Sequence, residues 1–201
     1  MPVPATLGLR PGWIYEVAAT TLGGSGPHAA PLGVSTPDGN VLRVELYKGS
    51  TTLANILNNG VLGINFLSQA AKLQTALHRR DRLRFVSLTP DADGAAPPAL
   101  PFLEDADAWL ALCRPQTEDA GRLVRVTAVP GRLSVFRPVR LINRAEGLLL
   151  ESLVLSTRLH LLPPGEGRKR LVENARVIAK VAPDSAQAAA IADLLAVLDF
   201  A

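Results

Sequence analysis

From Val41 to Lys48 apolar and polar residues alternate: Leu42, Val44 and Leu46 fall on one side of an extended chain, Arg43, Glu45 and Tyr47 on the other. The period then changes. Leu53, Ile56 and Leu57, at i, i+3 and i+4, predict a short helix that Ser50, Thr51 and Thr52 open and Asn59-Gly60 closes. Residues 61–67 form an unbroken apolar run and predict a buried strand, in which Asn65 shares a face with Gly63. Upstream, residues 13–22 predict a first strand and residues 28–36 a second, which the hairpin signal Asp38-Gly39 joins to the third. In the second strand Pro31 removes a ladder donor and Gly33, on the same side, has no side chain. That pairing marks an edge strand or a backbone that a ligand approaches closely.

Downstream, Ser68 opens a predicted helix that runs to about Arg80, and residues 82–88 predict a strand. Residues 89–101 are rich in Pro and Ala and read as a surface excursion, with a lid over a pocket as the alternative. Residues 106–114, 123–129 and 133–136 supply further strands, with Pro130-Gly131 turning between the last two. Many short strands with few strand–helix alternations favour an antiparallel barrel over a parallel sheet. From Asn143 the pattern is helical: residues 144–162, 168–182 and 184–199, interrupted at Pro163-Pro164-Gly165 and Pro183-Asp184-Ser185. The expected division is a barrel domain, 1–142, and a C-terminal helical subdomain, 143–201.

Composition narrows the chemistry. The 201 residues are 48% hydrophobic and 19% charged, sufficient for a packed core. A net charge of +3 without a basic stripe or aromatic RNA motif argues against nucleic acid. One cysteine, Cys113, permits no internal disulfide, and its apolar neighbours predict a buried, inert thiol. There is no secretory leader and no membrane-length apolar run, so a cytoplasmic protein is expected. The histidines, His28, His78 and His160, are scattered without metal-ligand spacing. No nucleophile elbow, Walker loop or dinucleotide fingerprint can be written. His28 begins the second strand and reads as a surface residue or as a ligand contact.

Three features carry candidate chemistry. Lys48-Gly49-Ser50-Thr51-Thr52 places a cation, a glycine and three hydroxyls at a helix N-terminus, which is ordinary capping or a phosphate site. Asn65, a polar amide in an apolar strand, needs a partner from backbone or ligand. Arg144, Glu151 and Arg158, spaced by seven, share a helix face. They form an ionic network at a boundary, or one of the arginines holds an anion.

The order of these features resembles the FMN-binding split-barrel superfamily: Pro31-Leu32-Gly33, then Ser50-Thr51-Thr52, Asn55 and Asn65, then Asn143-Arg144-Ala145, Glu151 and Thr157-Arg158-Leu159. Within it the chain is similar to an uncharacterised family of archaeal and bacterial flavoproteins over residues 12–162. The resemblance implies a six-stranded antiparallel Greek-key split barrel of the flavin-reductase and pyridoxamine-oxidase type, holding FMN near a homodimer interface. Transferred to this chain, Lys48, Ser50, Thr51 and Thr52 hold the phosphate. The backbone at Pro31, Leu32 and Gly33 flanks the isoalloxazine, Tyr47, Asn55 and Asn65 border the pocket, and Arg144 is a further anion contact. Thr51-Thr52 stand where the pyridoxamine-phosphate oxidase branch has Arg-Lys, a departure that argues against that branch. A flavin can carry the redox chemistry in a chain without its own acid–base machinery. The implied activity is electron or hydride transfer, with NAD(P)H or a pterin as candidate small molecules. The alternatives are a non-catalytic flavin- or heme-type binder and an interaction protein with an empty barrel.

Overall fold

A computed structural model describes residues 3–78, 80–88 and 100–198. After a single helical turn, α1 (Val3–Thr6), the elements are β1 (Ile14–Gly23), β2 (Gly26–Ser35), β3 (Leu42–Tyr47), α2 (Thr51–Asn59) and β4 (Val61–Phe66). Then follow α3 (Ala70–His78), β5 (Phe85–Leu88), β6 (Leu100–Leu103), β7 (Ala108–Ala120) and β8 (Leu123–Val135). The C-terminal helices are α4 (Arg144–Ser156), α5 (Glu166–Val181) and α6 (Ala186–Val197). Six strands close into a barrel in the order β1-β2-β3-β8-β7-β4, and antiparallel pairing of β1 with β4 completes the ring. β5 and β6 form a separate antiparallel hairpin. Of the predicted loop, residues 89–99 lie outside the described residues, and Leu100 to Leu103 are strand.

Strand register shows how one sequence pattern fills the barrel. Residues directly opposite in an antiparallel pair share a face. Val34 opposes Val44, Val44 opposes Val126, Ile64 opposes both Ala19 and Leu110, and Leu62 opposes Leu112. All are buried and point to one side, the barrel interior. The opposite face of β1 and β4 is buried as well, because Ala18 packs with Leu67, Ala76, Leu103 and Ala106 beneath α3 and the β5–β6 hairpin. β4 is therefore covered on both faces, which its unbroken apolar run requires.

Two predicted elements came out differently. Pro130-Gly131 does not turn the chain; β8 runs through it for 13 residues. Leu110 opposes Leu133 and Leu112 opposes Pro130, so one extra residue is accommodated as a bulge. A second irregularity lies between Cys113 and Gln116 on β7, where Arg114 has φ +53°. The bend leaves Cys113 half-buried rather than enclosed. The true hairpin turn lies at Gly121. β7 also continues to Ala120, through polar residues that give no apolar alternation.

Asp107 clamps the ends of this sheet. Its carboxylate accepts the Ser68 N–H at 2.8 Å and Arg137 Nε at 2.7 Å, and its carbonyl accepts the N–H groups of Phe136 and Arg137. Burial pushes the carboxyl up, but the bonds from Ser68 and Arg137 and the charge of Lys72 outweigh it, leaving a pKa of about 2. The folded value is depressed from 3.8, so the group's stabilisation is complete above about pH 4 and is lost as pH falls towards 2. Wild type should exceed Asp107→Asn in urea-unfolding stability at pH 6, and the gap should narrow by about 2 kcal/mol by pH 2.5. A gap independent of pH would remove Asp107 as the acid-sensitive clamp.

Contacts divide the chain into two compact units, Met1–Pro11 with Tyr15–Ile142, and Gly12–Ile14 with Asn143–Ala201. Trp13 and Ile14 join the helical unit because they pack on the cluster of Ala145, Ile178, Val181, Ala182 and Ile191. Asn143 fixes that arrangement. Its side chain caps α4 by accepting the Ala145 N–H and donates to the carbonyls of Ile14 and Val181. Among the described residues no helix is long and apolar enough to cross a membrane.

Candidate functional site

The candidate cradle is built where β3 gives way to α2. β3 buries Leu42, Val44 and Leu46 and turns Glu45 and Tyr47 outward, with Tyr47 72% exposed. The chain then reverses tightly: the Ser50 N–H donates to the Tyr47 carbonyl at 3.1 Å, across Gly49 at φ +80°. Only glycine takes that left-handed conformation without strain. Ser50 is the N-cap of α2, its hydroxyl accepting the Leu53 N–H at 3.3 Å. Its hydroxyl thus has the structural use that capping predicts. The N–H groups of Thr51 and Thr52 meet no acceptor among the described residues. Thr51 is exposed and Thr52 buried. Two open donors at the positive end of a helix dipole favour an anion there.

Lys48 stands at the same corner. Its N–H donates to the Arg122 carbonyl at 3.4 Å, and its Nζ forms an exposed ion pair with Asp119 at 2.7 Å. The Lys48 hydrogen bond is the main reason the Asp119 carboxyl sits below its usual range. Such an exposed pair is weak, so it holds Lys48 near the α2 N-terminus without locking it away. The β7–β8 turn brings Arg122 beside Lys48, a cation that local sequence did not point to.

The register of β2 on β3 completes the cradle. Ser35 opposes Arg43, so Gly33 and Pro31 share the outer face with Arg43, Glu45 and Tyr47. Leu32 alternates to the other side and contributes only backbone to this face. Pro31, Leu32 and Gly33 thus lie on β2, Tyr47 ends β3, Lys48 stands in the turn that follows, and Ser50, Thr51 and Thr52 open α2.

Asn55 and Asn65 are engaged within the barrel unit, and Arg144 belongs to the other unit. Asn55 is buried on α2 and donates to Thr21 Oγ1 at 2.9 Å, tying the helix to β1. Asn59 adds a second tie, to the Leu22 carbonyl at 2.5 Å. Asn55 thus positions the helix instead of bordering the cradle. Asn65 is fully buried. It donates to the Ala18 carbonyl and Thr20 Oγ1, both at 3.0 Å, and accepts the Leu103 N–H at 2.7 Å. The space beside Gly63 is filled too: a Cβ there would meet Thr20 Oγ1 and lie 3.2 Å from the Pro101 carbonyl. β6 crosses that gap, so the partner Asn65 needed is backbone and Thr20, not a ligand. Arg144 is exposed in the first turn of α4, in the second compact unit. The heptad stripe is shorter than its spacing implied, since α4 ends at Ser156 and Arg158 lies beyond it. Glu151 and Arg158 line a cavity of about 260 Å³ with Arg170, and no ion pair joins them.

The closed six-stranded antiparallel barrel defines the class of fold, one this chain shares with solved structures. Within that class the chain belongs to the family described as protein of unknown function DUF447: residues 15–136 match its N-terminal domain and residues 143–193 the remainder. Its fold is similar to that of an FMN-bound DUF447 protein from Methanosarcina mazei, at 22% identity and TM-score 0.54, covering 94% of this chain and 96% of that one. It is also similar to a nitrilotriacetate monooxygenase component B homologue from Mycobacterium thermoresistibile, at 14% identity and TM-score 0.50, over 65% of this chain and 76% of that one. No curated protein matches.

Proposed function

We propose that the chain binds FMN non-covalently in this cradle and acts as an oxidoreductase on a small molecule. One observation carries the reading: the unclaimed N–H groups of Thr51 and Thr52 open the helix that follows β3, in a family with an FMN-bound member. The residues fit the group. The Thr51 and Thr52 N–H groups and the Thr51 hydroxyl donate to the phosphate, and Lys48 turns from Asp119 to neutralise it. Ser50 and Asn55 hold the helix that aims those donors. Pro31 and Gly33 leave the outer face of β2 low enough for a flat ring system to lie along it. FMN supplies the electron chemistry when bound, and the protein supplies placement, hydrogen bonds and exclusion of water.

The proposal includes a homodimer with FMN near its interface; Tyr47, large and exposed beside the cradle, is the observation that supports a second copy covering this edge. A nicotinamide is the proposed reductant and a pterin-like molecule the alternative substrate. Anaerobic addition of NADH or NADPH to the FMN-loaded protein should bleach the bound flavin. Flavin that stays oxidised with both would make the protein a carrier instead of an enzyme.

A further inference from the structure

Beyond the cradle, the outer face of β3 carries a charge, Arg43, that no described residue balances. Arg125 of β8 is paired twice, to Glu118 at 2.9 Å and Glu45 at 3.5 Å, and Lys48 is paired with Asp119. Arg43 has neither an ion pair nor a hydrogen bond from its guanidinium among the described residues, although its Nε is buried. Its directly opposed neighbours are Ser35 on β2 and Thr127 on β8, neither of them acidic. Two acids of neighbouring positions on this face, Glu45 and Glu118, are both engaged by Arg125. A guanidinium with a desolvated, unpartnered N–H is costly unless an acceptor from outside the chain meets it.

The position of Arg43 indicates which acceptor. Gly33 is its diagonal neighbour across the β2–β3 pair, about 7–8 Å away and within reach of a long side chain. Arg43 therefore stands on the same face as Pro31 and Gly33 of β2, on the far side of them from the α2 N-terminus. A flavin anchored there by its phosphate and lying along β2 would bring its ring edge towards Arg43. We infer that Arg43 is a further flavin-binding residue, meeting the carbonyl-bearing pyrimidine edge of the ring and favouring the negative charge that this edge gains on reduction. A hydride from a nicotinamide donor carries two electrons and one proton, so the donor is oxidised and one negative charge remains on the ring. A planar, permanently charged donor suits that edge better than a hydroxyl or an amide. This inference rests on the proposed FMN reading and adds a tuning residue to it.

The test compares the FMN-loaded wild type with Arg43→Met and Arg43→Lys. The readouts are affinity for oxidised FMN, midpoint potential, and oligomeric state by light scattering. Arg43→Met should bind oxidised FMN more weakly than wild type and reduced FMN at least tenfold more weakly still, a fall of about 30 mV for a two-electron couple. Arg43→Lys should recover most of the potential, and it carries the test if the methionine variant does not fold. An unchanged potential in both variants would overturn the assignment. So would a loss of dimer at unchanged potential, which would give Arg43 to an acid of a second copy. Wild-type protein that takes up no FMN would remove the whole reading, whereas flavin-loaded variants indistinguishable from wild type would remove Arg43 alone.

Discussion

Thr51→Glu is expected to weaken FMN binding at least a hundredfold while leaving the fold as stable as before or slightly more so. Thr51 is exposed at the first position of α2, and its N–H has no acceptor among the described residues. A carboxylate there is favourable to the helix by roughly 0.3–1 kcal/mol, because it complements the dipole. The same carboxylate displaces a hydroxyl donor and faces the phosphate at a few ångströms. At the intermediate dielectric of a surface cleft, that repulsion is on the order of 3 kcal/mol, which corresponds to about a hundredfold. Flavin-fluorescence titration and a thermal melt separate the two effects. Unimpaired binding in a stable variant would mean the phosphate lies somewhere else.

Asn65→Leu should behave in the opposite way, destabilising the barrel by roughly 3–5 kcal/mol. Leucine is of similar size but leaves the Leu103 N–H, the Ala18 carbonyl and the Thr20 hydroxyl without their partner in a fully buried place. Each such loss costs about 1–3 kcal/mol, and the Thr20 hydroxyl can rotate to recover part of it. Against a total stability of about 5–15 kcal/mol, the shift in urea midpoint should be large. A ligand-contacting Asn65 predicts the reverse: weaker binding at nearly unchanged stability. That second pattern would contradict the hydrogen-bond assignment.

The two asparagines show where local sequence stops being informative. Asn65 beside Gly63 announces a polar group next to a missing side chain, and both a ligand and a crossing backbone meet that description. Only the path of β6, which arrives from nearly forty residues downstream, decides for backbone. Asn55 is similar, because its partner Thr21 lies on a strand 34 residues away. By contrast, β3, α2 and β4 were legible almost to the residue. Their patterns are local: a period of two, a hydroxyl cap with i, i+3 and i+4 spacing, and an apolar run.

Misreadings arose where the chain breaks a local rule and tertiary pairing overrides it. Pro130-Gly131 is strong turn chemistry, but the β7 ladder absorbs it as a bulge. The polar stretch from Gln116 to Ala120 shows no strand period because β7 leaves the covered part of the barrel there. Arg43 was visible on the outward face of β3. Its lack of an acid comes from long-range pairing, which sets Ser35 and Thr127 on either side of it while Arg125 engages Glu45 and Glu118.

The central claim is a phosphate held at the start of α2, and comparison of FMN with riboflavin tests it most directly, since the two differ only by that group. Titrations of wild type and of the Thr51→Ala, Thr52→Ala double variant should show FMN bound at least a hundredfold more tightly than riboflavin by wild type. The preference should fall to within about tenfold in the variant. Equal affinity of wild type for the two flavins would contradict the account.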